Sequence, residues 1–145
     1  MSQVESQQLT EEERSQWVRE QFQKANAFLA EQGILTDRVL TKESRYLAPH
    51  LAVWKFTVRN TTDKVWAISG DLPTDVLPAQ VAETPRDALR YFCYRWQMQA
   101  EDIMNSDKRQ DPTRQEFARM LVQKAEQFFD LTEQDGAWQD TRNNA

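Results

Sequence analysis

Two apolar segments separated by five polar residues constrain the fold of this chain most strongly. In LAVWKFTVR (51–59), apolar side chains recur at every second position from Ala52 to Val58, which is the period of a strand with one buried face. The second segment is VWAIS (65–69), and the turn-forming residues NTTDK (60–64) lie between the two. Such a pair predicts an antiparallel hairpin, and its apolar face requires a covering layer.

Helical patterns lie on both sides of this hairpin. The first predicted helix begins at Thr10, where a capping box to Glu13 is possible in the sequence, and it ends at Gly33, because glycine favours the left-handed position that closes a helix. Two later helix starts are predicted at Thr84-Pro85 and Asp111-Pro112, because proline is well tolerated in the first turn of a helix.

The segment before the hairpin, Val39–Leu47, is polar on both faces and is predicted to be an edge strand. The sequence thus predicts an α+β fold, in which helices pack on one face of a three-stranded antiparallel meander in the order α-β-β-β-α-α. A length of 145 residues suits one domain. We assign that domain to 10–131, a disordered tail to 1–9 and a mobile C-terminal tail to 132–145.

Composition argues against several classes of function. A net charge of −5 disfavours nucleic acid as a partner, since such binding depends on lysines and arginines that neutralise phosphates. Apolar runs are short, so no membrane span is expected. The N-terminus lacks the apolar segment of a signal peptide, and a single cysteine cannot form an intrachain disulfide. Together these features predict a cytoplasmic protein.

Signatures of cofactor and metal sites are missing from the sequence as well. Three dispersed glycines do not build a phosphate-binding loop or a dinucleotide-binding fingerprint. A single histidine excludes histidine-rich zinc sites. We therefore expect no cofactor, no metal and no complete set of catalytic residues, which favours a protein that is not an enzyme without deciding the question.

The stretch ISGDLPTD (68–75) carries the main candidate binding site. Asp71 and Asp75 bracket a proline after an apolar run, and Arg86 and Arg90 lie one helical turn apart at the next helix start. In one interpretation a carboxylate acts as a general base or binds a cation, and the arginines bind an anionic group. In the interpretation we favour, the segment is a rigid turn that caps a short helical turn, and the arginines pair with nearby acids.

Cys93 and His50 form a second candidate, a nucleophile with its base. Cys93 falls on the apolar side of the second predicted helix, and a thiol in such a place usually behaves as a small hydrophobic group. We therefore favour burial of Cys93 over catalysis.

VWAISGDLPTD (65–75) and TPRDALRYF (84–92) together resemble a family of short bacterial proteins that carry a domain of unknown function. The resemblance extends from the QWVREQFQKANAFL helix (16–29) through the SRYLAPHLAVWKF strands (44–56). It implies a bacterial source and a cytoplasmic protein. It assigns no activity, cofactor or catalytic residue.

The function we favour from the sequence is a non-enzymatic binding or accessory protein with a protein or small molecule as its partner. Its contact region would be the loop 69–75 and the helix start that follows. The alternative is a small, cofactor-free hydrolase or isomerase with Asp71 or Asp75 as general base. A third hypothesis is a homodimer that forms through a separate apolar patch on the second helix, around Tyr91, Tyr94 and Met98.

Overall fold

Helices and strands make up most of residues 9–139, the part of the chain that this computed structural model describes. The chain divides between Gln80 and Val81 into two compact units. Counted over the described residues, the first holds one α-helix and a five-stranded antiparallel sheet, and the second holds two α-helices. The elements are α1 (Glu11–Glu31), β1 (Thr36–Val39), β2 (Arg45–Leu47), β3 (Leu51–Val58), β4 (Lys64–Gly70), β5 (Asp75–Pro78), α2 (Pro85–Met104) and α3 (Pro112–Thr132).

The fold class is α+β, as predicted, but the prediction of three strands is wrong. The assignment of one domain to 10–131 stays a prediction, since each unit is compact by itself. Of the two predicted tails, 1–8 and 140–145 lie outside the described residues. Within the second predicted tail, Asp135–Trp138 forms a 3-10 turn.

The start and the end of α1 follow from the residues that the sequence places there. The Thr10 side chain accepts the Glu13 N–H and the Glu13 carboxylate accepts the Thr10 N–H, each at 3.0 Å, which completes the predicted capping box. Gly33 follows the helix with a φ of +82°, a conformation that glycine adopts without a steric penalty. On the buried side of α1, Ala25 and Leu29 pack against the sheet.

The central hairpin of β3 and β4 is confirmed. The two strands are antiparallel, and their register pairs Trp54 with Ala67 and Phe56 with Val65. These side chains lie on the face that α1 covers. The indole N–H of Trp54 donates to the buried hydroxyl of Ser69 at 3.1 Å, so the largest side chain on this face is both packed and hydrogen-bonded.

The predicted edge strand Val39–Leu47 is in fact two strands, β1 and β2, which both pair with β3. Ser44 explains the break between them. Its hydroxyl accepts the Lys55 N–H at 2.9 Å and donates to the Leu40 carbonyl at 2.8 Å. The Lys55 N–H of β3 therefore bonds to a side chain and not to a backbone carbonyl of a neighbouring strand. The chain between β1 and β2 bends into a 3-10 turn.

The fifth strand, β5, is absent from the sequence prediction. It pairs with β4 in antiparallel register, from Ile68 opposite Asp75 to Val65 opposite Pro78. Because β5 is four residues long and ends in a proline, it has neither the length nor the composition that marks a strand in sequence. Proline is tolerated there because β5 is at the edge of the sheet, where an N–H need not be paired.

The second unit is a pair of helices, α2 and α3, that pack against each other. The Thr84 side chain accepts the Asp87 N–H at 3.1 Å and the Asp111 carboxylate accepts the Thr113 N–H at 3.0 Å. A proline follows each of these N-caps, so both predicted helix starts are confirmed. Within residues 9–139, none of the helices has the length and the apolar character needed to cross a bilayer.

Candidate functional site

The segment ISGDLPTD is the end of β4, a short turn and the first residue of β5. Ile68 and Asp75 are register partners on the two strands, so the segment closes a hairpin. No helical turn begins at Asp75, and that part of the prediction is wrong, because the chain continues into β5 instead. A turn is present, as predicted, and it joins two neighbouring strands; its rigidity stays a prediction.

The backbone geometry at position 70 explains why this turn needs a glycine. Its φ is +136°, and a Cβ there would lie 2.6 Å from the Cα of Leu51 and would also collide with the carbonyl oxygen of His50. Real Cβ atoms are not found so close to backbone atoms, so the two chain segments can approach only at a glycine. The N–H of the next residue, Asp71, donates to the same His50 carbonyl at 2.9 Å.

The two candidate carboxylates differ in their surroundings. Asp71 is exposed in the turn and Asp75 is half-buried at the start of β5. One oxygen of Asp75 accepts the N–H of Val76 at 2.8 Å. Both aspartates take part in further interactions, so neither is a free carboxylate. These two side chains belong to the sheet unit.

Arg86 and Arg90 belong to the helical unit, and both contact the C-terminal end of α3. The Nε of Arg86 donates to the Thr132 carbonyl at 2.6 Å, and Nη2 of Arg90 donates to the same oxygen at 3.1 Å. Arg86 also pairs with Asp135 at 2.7 Å. A helix ends in unpaired carbonyls and a partial negative charge, which cations stabilise. The two arginines of α2 therefore cap α3.

The sequence predicts that Arg86 and Arg90 pair with nearby acids, and this is confirmed for the pair of Arg90 and Asp87. Arg90 contacts Asp87 at 3.0 Å within α2. The other partners are more than forty positions away along the chain, and sequence spacing does not reveal such contacts. The sequence did contain one signal for these contacts. The last turn of α3 carries no basic residue, so any cation that stabilises its end has to come from another segment. The grouping of both arginines with Asp71 and Asp75 stays a prediction.

Cys93 is buried, with 1% of its surface exposed. Burial raises the pKa of the Cys93 thiol to about 12, because an apolar environment disfavours the thiolate. The thiolate is the reactive form, so the burial that we favoured in the sequence is present, and Cys93 is unsuited to nucleophilic catalysis. His50 lies in the turn between β2 and β3, where its carbonyl binds Asp71.

We expect Cys93 in the folded protein to react with iodoacetamide at pH 7.5 more slowly than in the unfolded chain by a factor on the order of a thousand. The pKa in the fold lies far above that pH, whereas an unfolded cysteine has a pKa near 8.5. Mass spectrometry measures the rate, and the same chain in urea provides the control. Since the chain has one cysteine, the signal comes from a single site. Rapid labelling of the folded protein would contradict the buried position.

Residues 9–139 contain no group of three histidine, cysteine, aspartate or glutamate side chains arranged to hold a metal ion. Cys93 is buried, and the guanidinium groups of Arg86 and Arg90 both contact the end of α3.

Comparison with protein families gives one result. The family model of the Domain of unknown function (DUF4826) matches residues 11–138. The chain belongs to this family. The match runs from the first residue of α1 to the end of the 3-10 turn that Arg86 contacts. No curated protein and no solved structure matches the chain.

The surface of this DUF4826 domain carries two apolar features on its helical unit. The first, which we name the α2 stripe, consists of Tyr91, Tyr94 and Met98. Their side chains are 46%, 60% and 45% exposed, and their spacing of three and four residues places them on one side of α2. It is the patch for which the sequence raises the hypothesis of a homodimer. That hypothesis stays a prediction, and the exposure of these residues leaves the patch open to contact.

The second feature is a groove of about 840 Å³ between α2 and α3, which was not predicted from the sequence. Ala100 and Met104 line it from α2, and Ala118 and Val122 line it from α3. The charged residues of its lining are Glu101 on α2 and Arg119 and Glu126 on α3. The groove lies where the two helices pack against each other. Which residues line it depends on the helix–helix register, and that register is not visible in the sequence of either helix.

Proposed function

We propose that this protein is a non-enzymatic binding or accessory protein that contacts a protein partner through the α2 stripe. The exposure of Tyr91, Tyr94 and Met98 carries the proposal, since tyrosine and methionine are enriched at protein interfaces and an exposed apolar patch marks such contacts. The stripe lies on the convex surface of a helix, whereas small molecules bind in concave sites. A protein is therefore the better partner.

The loop 69–75 is a secondary contact region in this proposal. Asp71 is exposed there, and strand-end loops often carry binding residues. Arg86 and Arg90 contribute less to binding, since their guanidinium groups are already occupied at the end of α3. The hydrolase or isomerase with Asp71 or Asp75 as base has no observation of its own in its favour.

A photo-crosslinking residue at position 98 tests the proposal in the cells that make the protein. We expect a discrete adduct with one protein from position 98 and none from position 99, where exposed Gln99 is turned by about 100° around the same helix. Tyr94→Ser should abolish the adduct without changing the melting temperature, because Tyr94 is exposed. Equal yields from positions 98 and 99, or an adduct that Tyr94→Ser leaves unchanged, would refute the role of the stripe.

A further inference from the structure

The groove between α2 and α3 has a chemical pattern that points to its occupant. Arg119, Val122 and Glu126 all line it, at spacings of three and four residues that place them on one side of α3. Val122 is 36% exposed, and the side chains of Arg119 and Glu126 are exposed as well. The strip therefore has an apolar centre with one positive and one negative end.

This strip is complementary to itself. Arg119 and Glu126 are seven residues apart, or about 10 Å along the helix axis, and they flank Val122 on opposite sides. When a second copy of α3 runs in the opposite direction, Arg119 of each copy faces Glu126 of the other and the Val122 side chains meet between them. A parallel arrangement would place like charges opposite each other, which is unfavourable.

The groove also has the shape that such contact requires. Its floor contains Ala100 and Ala118, and small side chains allow a helix to approach closely. Arg119 now pairs at 2.8 Å with Glu116, and both of these side chains are largely exposed. An exposed pair of this kind contributes little to stability, so exchanging it for a contact with another chain costs little.

We propose that two copies of this chain associate through the groove, with their α3 helices antiparallel and Arg119 of each paired with Glu126 of the other. The contact is isologous, as two-fold symmetry requires, and it assembles α2 and α3 of both copies into a four-helix bundle. None of the three residues of the α2 stripe lines this groove, so the inference goes beyond the proposed function and does not depend on it.

Charge reversal tests the pairing directly. We expect the wild-type chain to form dimers in sedimentation experiments between micromolar and millimolar concentrations. Arg119→Glu and Glu126→Arg should each weaken self-association at least about tenfold, because each change places like charges opposite each other at two points. Mixed in equal amounts, the two variants should associate again, since one then carries two acids and the other two arginines. The double variant R119E/E126R should also dimerise.

Two controls complete the experiment. Gln127→Glu changes charge on the exposed surface of α3 about 100° away from Glu126, and it should leave the dimer intact. Val122→Lys should abolish the dimer by placing two positive charges near the axis, while an unchanged melting temperature at low concentration shows that the fold is kept. Any of three results would overturn the proposal. The wild-type chain could stay monomeric, the dimer could persist in both charge-reversal variants, or the two variants could fail to associate when mixed. A dimer lost in Tyr94→Ser but not in Arg119→Glu would overturn it in favour of the α2 stripe.

Discussion

Gly70→Ala is expected to lower the free energy of unfolding by about 2–5 kcal/mol, which corresponds to a fall in melting temperature of roughly 10 °C. Two effects add. The backbone at position 70 has a φ of +136°, and the new Cβ would overlap the backbone of His50 and Leu51. Backbone atoms cannot rotate away as a side chain can, so the hairpin of β4 and β5 has to shift or break its contact with the turn before β3.

The other two glycines provide matched controls for this substitution. Gly33 also has a positive φ, of +82°, but nothing lies within 4 Å of an added Cβ, so Gly33→Ala should cost only about 1 kcal/mol for the backbone conformation. Gly136 has open space, and Gly136→Ala should be nearly neutral. Thermal and urea denaturation would measure the loss of stability in each of the three variants. A loss at Gly70 no larger than the loss at Gly33 would contradict the close approach to His50.

Arg86→Met is expected to destabilise the protein by about 1.5–3 kcal/mol, because the Thr132 carbonyl and Asp135 both lose a charged donor. Methionine keeps most of the apolar stem, so the loss reports on hydrogen bonds and charge. Arg90→Met should cost less, since Arg86 still caps α3. The double variant should cost more than the sum of the two, because only then does the Thr132 carbonyl lose both of these donors.

A double-mutant cycle measured by urea denaturation gives this coupling. Arg19→Met is the control, because Arg19 is exposed on α1 and donates to Gln16 there, and its loss should fall within about 0.5 kcal/mol. Strict additivity of the two α2 variants would mean that the arginines do not share an acceptor. A change in ligand or partner binding with no loss of stability would instead revive the sequence-based interpretation of Arg86 and Arg90 as a binding site.

Local signals predicted the parts of this fold that depend on neighbouring residues. The capping box at Thr10, the proline-marked starts of α2 and α3 and the alternation in β3 each act within a few positions, and each is present in the structure. Ser44 is different. Nothing in the sequence shows that its hydroxyl would bind the Lys55 N–H, so one predicted strand became two.

The candidate site was predictable only in part for the same reason. Gly70 is recognisable as the glycine of a turn, but the closeness of His50 and Leu51 arises from pairing between β3 and β4. Arg86 and Arg90 drew attention as a charged pair, yet their acceptor is a main-chain carbonyl at Thr132. A carbonyl has no sequence signature, so contacts of this kind appear only once the helices are paired.

The break at Ser44 has a consequence for how the sheet meets other chains. Long, flat edge strands act as templates for edge-to-edge aggregation. Among the described strands, one border of this sheet is formed by β1 and β2, two short pieces with a bend between them, and the other by β5, which ends in Pro78. Neither border offers a long row of aligned amide and carbonyl groups, so the sheet is a poor template for fibrils. Contacts with other molecules are therefore expected through side chains and not through the backbone of a sheet edge.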